Sequence, residues 1–257
     1  MSANLPPWFP TNNCVRALFA PALVFIATSV NHNYQTDFWH HLARGQAMWE
    51  RGELVNTDLF TFTVPGKSFQ DANWLSQIVF CLLYRVGGLD LVQVINSLVL
   101  SAVMGVLVWM AWRKSGSMLV AGGLGVFAFL GLWQLLIIRP QTFSLLLFIL
   151  LYAALEGAVR DRRWLLLPPF LMALWSNLHG GFPIGLILVG CYVLAAAWDY
   201  WRAEGWAGFR DKRFVALAVC LFSCGVATFV NPYGWNVYQY VGLTSSVANG
   251  RRIDEWL

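Results

Sequence analysis

Seven apolar segments separated by polar loops constrain this chain more than any other feature of its sequence. A helix needs about 20 apolar residues to cross the hydrocarbon core of a bilayer. The chain is 58% hydrophobic and only 12% charged, so most of it must contact lipid or other apolar helices. The sequence therefore predicts an all-α polytopic membrane protein with about seven transmembrane helices, at residues 15–31, 89–112, 117–138, 141–158, 164–178, 183–201 and 214–230.

Basic residues occur in alternate loops, which predicts the orientation of the chain. Arg16 lies at the start of the first segment, and basic groups follow the second, fourth and sixth segments: Arg113, Lys114, Arg160, Arg162, Arg163, Arg202, Arg210, Lys212 and Arg213. Cytoplasmic loops carry an excess of Lys and Arg, so the N-terminus is predicted to be cytoplasmic. The net charge of +4 is spread over these loops, which indicates a lipid bilayer as partner and no nucleic acid.

The first loop on the opposite, outer side is long, covering residues 32–73. It is predicted to contain a helix at 37–51 ended by Gly52, then a strand-like Phe/Thr alternation at 56–67. Residues 74–86 are apolar but short, and Gly87-Gly88 follows, so they are predicted to form a helix lying on the outer interface. In the fifth segment, Pro168-Pro169 predicts a kink.

A carboxylate, two imidazoles and a guanidinium follow the first apolar segment. On a helix, Asp37, His41 and Arg44 stand at positions i, i+4 and i+7 and line one stripe, with His40 beside it. An ionisable residue at membrane depth is a functional hypothesis by default. The alternative for Asp37 is a helix N-cap, and both roles are compatible because a cap fixes the position of the carboxylate.

Other candidate residues are predicted on the same side. Arg139 can bind a phosphate or reach lipid headgroups, and His179 lies in a Gly-containing turn. Asp58 and Glu255 are candidates for a second carboxylate. Asp37 and His41 can hold a metal: a divalent cation such as Mg²⁺ or Mn²⁺ that also binds a substrate phosphate needs few protein ligands. The two histidines can equally be phosphate donors or packing residues. The fourth histidine, His32, also lies on this side.

Six motifs carry a resemblance to a known group of proteins: DFWHHLARG at 37–45, NTDLFTFT at 56–63, WLSQ at 74–77, RPQTFS at 139–144, NLHGGF at 177–182 and NPYG at 231–234. They resemble bacterial multi-pass proteins related to the GT-C glycosyltransferase superfamily, which includes protein mannosyltransferases and aminoarabinose transferases. The resemblance covers nearly the whole chain. It implies one GT-C-like transmembrane unit over 1–257, corresponding to the N-terminal part of a longer family architecture.

The resemblance also implies an activity. GT-C enzymes transfer a sugar from a polyprenyl-phosphate-linked donor at the outer face of the bacterial inner membrane, and Asp37 matches their catalytic acidic residue. His40, His41, Arg44, Arg139 and His179 are candidates to bind the substrate phosphate. Many GT-C enzymes carry a pair of acidic residues in this loop, whereas Asp37 has no adjacent partner. The alternatives are a non-enzymatic lipid-carrier binding or transport protein and a structural subunit of an envelope complex.

The predicted orientation can be tested at position 37. In a chain whose five native cysteines are replaced, Asp37→Cys should react with a membrane-impermeant maleimide added to intact spheroplasts. Arg162→Cys, the control on the predicted cytoplasmic side, should react only after permeabilisation. Labelling of position 37 only after permeabilisation would contradict the predicted orientation and indicate the opposite one.

Overall fold

The computed structural model describes residues 12–30, 36–60, 66, 68, 70–133 and 136–242, and these residues are almost entirely helical. The all-α fold class is therefore confirmed for this part of the chain. Residues 236–242 are also helical. The remaining helices are α1 (Asn12–Val30), α2 (Thr36–Arg51), α3 (Trp74–Ser115), α4 (Met118–Leu132), α5 (Gln141–Ala158), α6 (Leu167–Leu178), α7 (Pro183–Glu204) and α8 (Lys212–Ala227), with short 3₁₀ helices at Arg162–Leu166 and Gly205–Arg210.

Four stretches among the described residues are long and apolar enough to cross a membrane: α1, α3, α5, and α7 with its 3₁₀ continuation to Arg210. The chain is therefore a membrane protein by the length and composition of its helices. The other three predicted segments coincide with α4, α6 and α8, which have 15, 12 and 16 residues. At 1.5 Å per residue these helices are shorter than the roughly 30 Å hydrocarbon core.

Three local features differ from the sequence expectations. In the segment predicted at 117–138, of which 134 and 135 lie outside the described residues, the regular α-helix covers Met118–Leu132. Pro168 and Pro169 do not kink a helix, because they lie in the first turn of α6, where a missing N–H costs no hydrogen bond. The strand-like stretch contributes only an isolated bridge between Thr57 and Ser68 among the described residues, and 61–65 and 67 lie outside them.

Glycines set the ends of the helices around the outer loop. At the end of α2, Gly52 has φ +68° and its N–H donates to the Met48 carbonyl at 2.9 Å, a left-handed C-cap. Within α3, Gly87 and Gly88 have non-helical backbone angles, and Gly88 has φ +64°. Helix α3 therefore consists of two arms, 74–86 and 89–115, which need not share one direction.

Three apolar clusters hold the helices together. One unites α5, α6, α7 and α8 around the fully buried Trp175, and a second unites α1, α3 and α4 around Val24. The third lies beneath α2, where Phe38 is fully buried and packs edge-on against Phe80 of α3 at 5.8 Å between ring centroids. Leu42 belongs to the same cluster, so one face of α2 is fixed on the first arm of α3.

The basic loops gather at one end of the bundle. Lys114, at the end of α3, forms an ion pair with Glu156 near the end of α5 at 2.9 Å. Arg160, Arg162, Arg163 and Arg213 line one cavity. At the other end, Trp74 Nε1 donates to Asn177 Oδ1 at 3.0 Å, and Asn231 Nδ2 donates to the Ser176 carbonyl at 2.6 Å. The start of α3, the end of α6 and the segment after α8 therefore meet at the end that also carries α2.

The contact between α2 and α3 yields a stability prediction. A Cβ added at Gly45 would clash with the Gln77 carbonyl oxygen, a backbone atom that cannot move without shifting α3. Gly45→Ala should therefore destabilise the protein by about 1–3 kcal/mol, as expected for an overpacked contact. Gly123→Ala, in α4, meets open space and should be neutral or slightly stabilising. Thermal unfolding in detergent would measure both, and equal melting temperatures would contradict this account of the contact.

Candidate functional site

Helix α2 presents its polar stripe to the start of α3. Phe38 and Leu42 face the apolar cluster below, and Gly45 allows close approach to Gln77. The helical spacing then directs His41 and Arg44 towards residues 71–77. The apolar face of α2 therefore positions its polar face, and both follow from the same 3.6-residue period.

A buried ion pair joins α2 to the segment before α3. Arg44 Nη1 lies 3.0 Å from Asp71 Oδ2, and the two side chains are 14% and 6% exposed. Asp71 accepts two further hydrogen bonds, from Gln77 Nε2 at 2.8 Å and from the Asn73 N–H at 3.0 Å. A buried carboxylate needs such partners, because an uncompensated charge in the protein interior is strongly destabilising.

Gln77 connects the carboxylate to a histidine. Its Nε2 contacts both Asp71 Oδ2 at 2.8 Å and His41 Nδ1 at 3.1 Å. Because the amide nitrogen donates, His41 Nδ1 must be an unprotonated acceptor, and the proton of the neutral ring is then on Nε2. Burial lowers the pKa of His41 to about 4, although the nearby Asp71 acts in the opposite direction. At neutral pH, His41 is therefore an uncharged hydrogen-bond donor.

These side chains border a cavity of about 340 Å³, within the range of small-molecule sites. Two oxygen atoms of residues in its wall, Gln77 Oε1 and Asn73 Oδ1, are buried without a hydrogen-bond partner among the described residues. Its lining consists of His40, His41, Arg44, Asp58, Ser68, Asp71, Asn73, Gln77 and Tyr240. The lining also includes the carboxylates of Asp58 and Asp71 and the donor groups of Arg44 and His41, so it has both the acceptors and the donors that a polar ligand requires.

His40 is the second imidazole of the cavity. Its Nε2 lies 2.7 Å from Arg44 Nε, which can only donate, so the proton of neutral His40 is on Nδ1. Burial, and then the positive charge of Arg44, lower the pKa of His40. The two adjacent histidines therefore have opposite tautomers, and neither adds positive charge to the cavity at neutral pH.

Asp37 forms a second carboxylate–guanidinium pair. Its Oδ2 lies 2.8 Å from Arg139 Nη2, with the side chains 53% and 13% exposed. Asp37 does not line the cavity, but its charge acts on both His40 and His41. The predicted stripe of Asp37, His41 and Arg44 thus divides between two pairs, an accessible one with Arg139 and a buried one with Asp71.

His179 is held behind the cavity. Ser144 Oγ lies 2.7 Å from His179 Nδ1 and accepts a hydrogen bond from Trp175 Nε1 at 2.7 Å. The Gly181 N–H also donates to His179 Nδ1, at 3.1 Å, so the ring proton is on Nε2. Burial, and then the charge of His41, lower the pKa of His179 to about 4. His179 is therefore an electrostatic neighbour of His41, although it does not line the cavity.

The residues predicted to hold a metal form separate contacts. Asp37 binds Arg139, whereas His41 Nδ1 binds Gln77, which leaves His41 Nε2 available. Among the described ranges, no group of three or more His, Cys, Asp or Glu side chains is arranged to hold a metal ion. Of the two candidates for a second carboxylate, Asp58 lines the cavity, and Glu255 lies outside the described residues, as does His32.

Sequence reasoning missed Asp71, Asn73 and Gln77 as site residues. The sequence places Asp71 and Asn73 in the outer loop and Gln77 in the interfacial helix, where it ends one of the resembling motifs, and predicts no site role for any of them. A signal was present, since Asp71 is an acidic residue directly before an apolar helix on the side that carries Asp37. The pairing of Asp71 with Arg44, 27 positions away, has no local sequence signature.

Comparison of the chain with protein-family models, with curated proteins and with solved structures finds no match. The geometry and chemistry of the site are therefore the observations that bear on its function.

The lowered histidine pKa values predict a pH dependence of stability. His41 and His179 have folded-state pKa values of about 4, below the ordinary 6.5, so the unfolded state binds their protons more readily. Their contribution to stability is present above pH 6.5 and is lost as the pH falls towards 4. The melting temperature in detergent should decrease over this window.

A double variant provides the control for this dependence. His41→Asn/His179→Asn keeps an acceptor near each Nδ1 position but removes both titrating groups, so its melting temperature should vary less between pH 6.5 and 4. His40→Asn removes a more exposed histidine, so it should reduce the pH dependence of the melting temperature less than the double variant does. An unchanged slope in the double variant would contradict the buried neutral state of these rings.

Proposed function

We propose that this chain is a GT-C-type membrane glycosyltransferase, which transfers a sugar from a polyprenyl-phosphate-linked donor to an acceptor hydroxyl. The observation that carries the proposal is the pairing of an accessible carboxylate, Asp37, with a largely buried guanidinium, Arg139, beside a polar cavity at one end of an apolar helix bundle. The six motifs that resemble GT-C proteins include both residues of this pair.

The proposed topology places this end outside the cytoplasm. Seven segments cross the bacterial inner membrane, with the N-terminus in the cytoplasm, and the shorter helices α4, α6 and α8 cross together with the longer ones. The gathering of Lys114, Arg160, Arg163 and Arg213 at the end opposite α2 supports this orientation, because cytoplasmic loops are enriched in basic residues. A lipid-linked donor then reaches the site from the outer leaflet.

Arg139 is the proposed phosphate-binding residue. A guanidinium binds phosphate oxygens in a bidentate manner, and such charge-assisted bonds are stronger than neutral ones. When the donor phosphate contacts Arg139, it competes with Asp37 for the same guanidinium, and the carboxylate is then available for the acceptor. Arg44 is less suited to this task, because Asp71 and His40 already occupy two of its three nitrogen atoms, Nη1 and Nε.

The proposed reaction uses Asp37 as general base. The acceptor oxygen forms a bond to the anomeric carbon while the bond from that carbon to the phosphate oxygen breaks. The phosphate leaves with the electron pair on its carrier lipid, and the acceptor proton passes to Asp37. Arg139 stabilises the charge that develops on the leaving phosphate. The neutral Nε2–H of His41 offers a hydrogen bond to a ligand in the cavity.

A divalent cation, Mg²⁺ or Mn²⁺, held by Asp37 and His41 remains a prediction from the sequence. Both carboxylates that the structure pairs, Asp37 and Asp71, already face a guanidinium, whose positive charge opposes a second cation nearby. In the proposed steps, Arg139 therefore neutralises the charge of the phosphate, and no cation takes part. Asp58, one of the two candidates for a second carboxylate, lines the cavity, and its charge acts to raise the pKa of His40.

The proposal is tested by comparing polyprenyl-linked glycans in cells that lack the gene and in cells that carry it. Cells without the protein should accumulate a donor that the wild-type chain consumes. Asp37→Asn should reduce transfer at least about 100-fold, the usual contribution of a general base. Asp90→Asn, which alters an exposed carboxylate near the Gly87-Gly88 break, is the matched control and should leave transfer unchanged.

Expression and membrane insertion of each variant need to equal those of the wild type. Full transfer by Asp37→Asn would reject Asp37 as base. An unchanged glycan profile, together with carrier movement across vesicles that contain the purified chain, would favour the lipid-carrier transport alternative. A stoichiometric protein partner with no change in lipid-linked sugars would favour the structural-subunit alternative.

A further inference from the structure

Four arginines from two parts of the chain surround one cavity at the end of the bundle opposite the candidate site. The cavity has a volume of about 320 Å³. Arg160, Arg162 and Arg163 belong to the connection between α5 and α6, whereas Arg213 lies in the first turn of α8. The remaining lining residues are Ala158, Val159 and Asp161. Cytoplasmic loops are commonly basic, but a general excess of charge does not require two segments to converge on one cavity.

The lining of the cavity contains four arginines and one carboxylate, Asp161, so it carries an excess of positive charge. None of the four has an ion-pair partner within the described ranges. Asp161, the acidic residue of the lining, accepts a hydrogen bond from the Arg163 backbone N–H at 2.9 Å and caps the 3₁₀ helix. The N-terminus of α8 is already capped by Asp211, which accepts the Arg213 backbone N–H at 2.7 Å, so the excess positive charge comes from the arginine side chains. The cavity therefore attracts an anion.

An apolar groove adjoins this cavity. It has a volume of about 360 Å³ and is lined by Arg163, Trp164, Leu166 and Leu167. Arg163 borders both spaces, so the cationic cavity and the groove are adjacent. Leu166 is 80% exposed and Trp164 is 47% exposed, so the groove is open at the surface of the bundle.

Trp164 forms a fixed wall of the groove. A Cβ at position 157 would lie 2.8 Å from the Trp164 ring, so Gly157 is what permits the indole to pack against α5. An indole at the end of a membrane helix is typical of the headgroup region, where its apolar ring and its N–H meet different surroundings. The groove is therefore placed at the depth where acyl chains begin.

We propose that the cationic cavity and the apolar groove together bind one anionic phospholipid of the adjacent leaflet. The arginines contact the phosphate and headgroup, and the first methylenes of an acyl chain lie against Trp164 and Leu166. Basic pockets beside membrane helices are suited to such lipids. The groove selects a phospholipid over free phosphate, because inorganic phosphate has no apolar part to bury there. This inference does not depend on the proposed glycosyltransferase activity.

The experiment measures lipid adducts of the purified chain by native mass spectrometry. Phosphatidylglycerol and phosphatidylcholine with identical acyl chains are the probes, and the wild type should retain phosphatidylglycerol preferentially. In Arg162→Gln/Arg163→Gln/Arg213→Gln, affinity for phosphatidylglycerol should fall about fivefold for each arginine removed. Leu166→Ser, which changes an exposed side chain, should weaken binding without removing the preference for the anionic lipid.

A control variant removes the same charge elsewhere. Arg113→Gln/Arg202→Gln/Arg210→Gln alters three exposed arginines that do not line the cavity, and it should retain phosphatidylglycerol as the wild type does. Equal binding of the two lipids, or equal losses in the two triple variants, would overturn the proposal. Displacement of the lipid by millimolar inorganic phosphate, with no effect of Leu166→Ser, would assign the cavity to a free anion instead.

Discussion

The ion pair between Arg44 and Asp71 is the interaction on which the candidate site depends. It connects the middle of α2 to the residues just before α3, and its carboxylate also receives Gln77 Nε2 and the Asn73 N–H. Two buried charges are costly unless both are paired and hydrogen-bonded. Removing either charged side chain would leave the other buried charge without compensation. The pair therefore fixes the register of α2 on α3, and with it the shape of the cavity.

The apolar frame around this pair determines the protonation of the histidines. Phe38 and Phe80 exclude water beneath α2, and burial is the largest cause of the lowered pKa values of His41 and His179. Neutral imidazoles donate hydrogen bonds without adding charge, so the arginines carry the positive charge of the site. Of the two arginine–carboxylate pairs, the buried one organises the structure, whereas the half-exposed pair of Asp37 and Arg139 can exchange partners with a ligand.

The helices and part of the site could be predicted from the sequence, because both depend on the periodic spacing of apolar and polar residues along the chain. Apolar runs of membrane length leave the chain few alternatives to helices, and Gln141–Ala158 is found with the boundaries that hydropathy indicates. The helical period also placed Asp37, His41 and Arg44 on one face of α2. Contacts between distant residues were not accessible in this way: the pairing of Arg139 with Asp37 and of Arg44 with Asp71 depends on how the helices pack, which a hydrophobic pattern does not encode.

A double-mutant cycle between Arg44 and Asp71 tests the central claim most directly. Arg44→Met, Asp71→Asn and the double variant would be compared with the wild type by thermal unfolding in the same detergent. If the pair couples α2 to α3, the double variant should be more stable than the sum of the two single losses predicts, by about 1–3 kcal/mol. Single losses that add to within about 0.5 kcal/mol would show that the two charges do not depend on each other, and would contradict the account of this site.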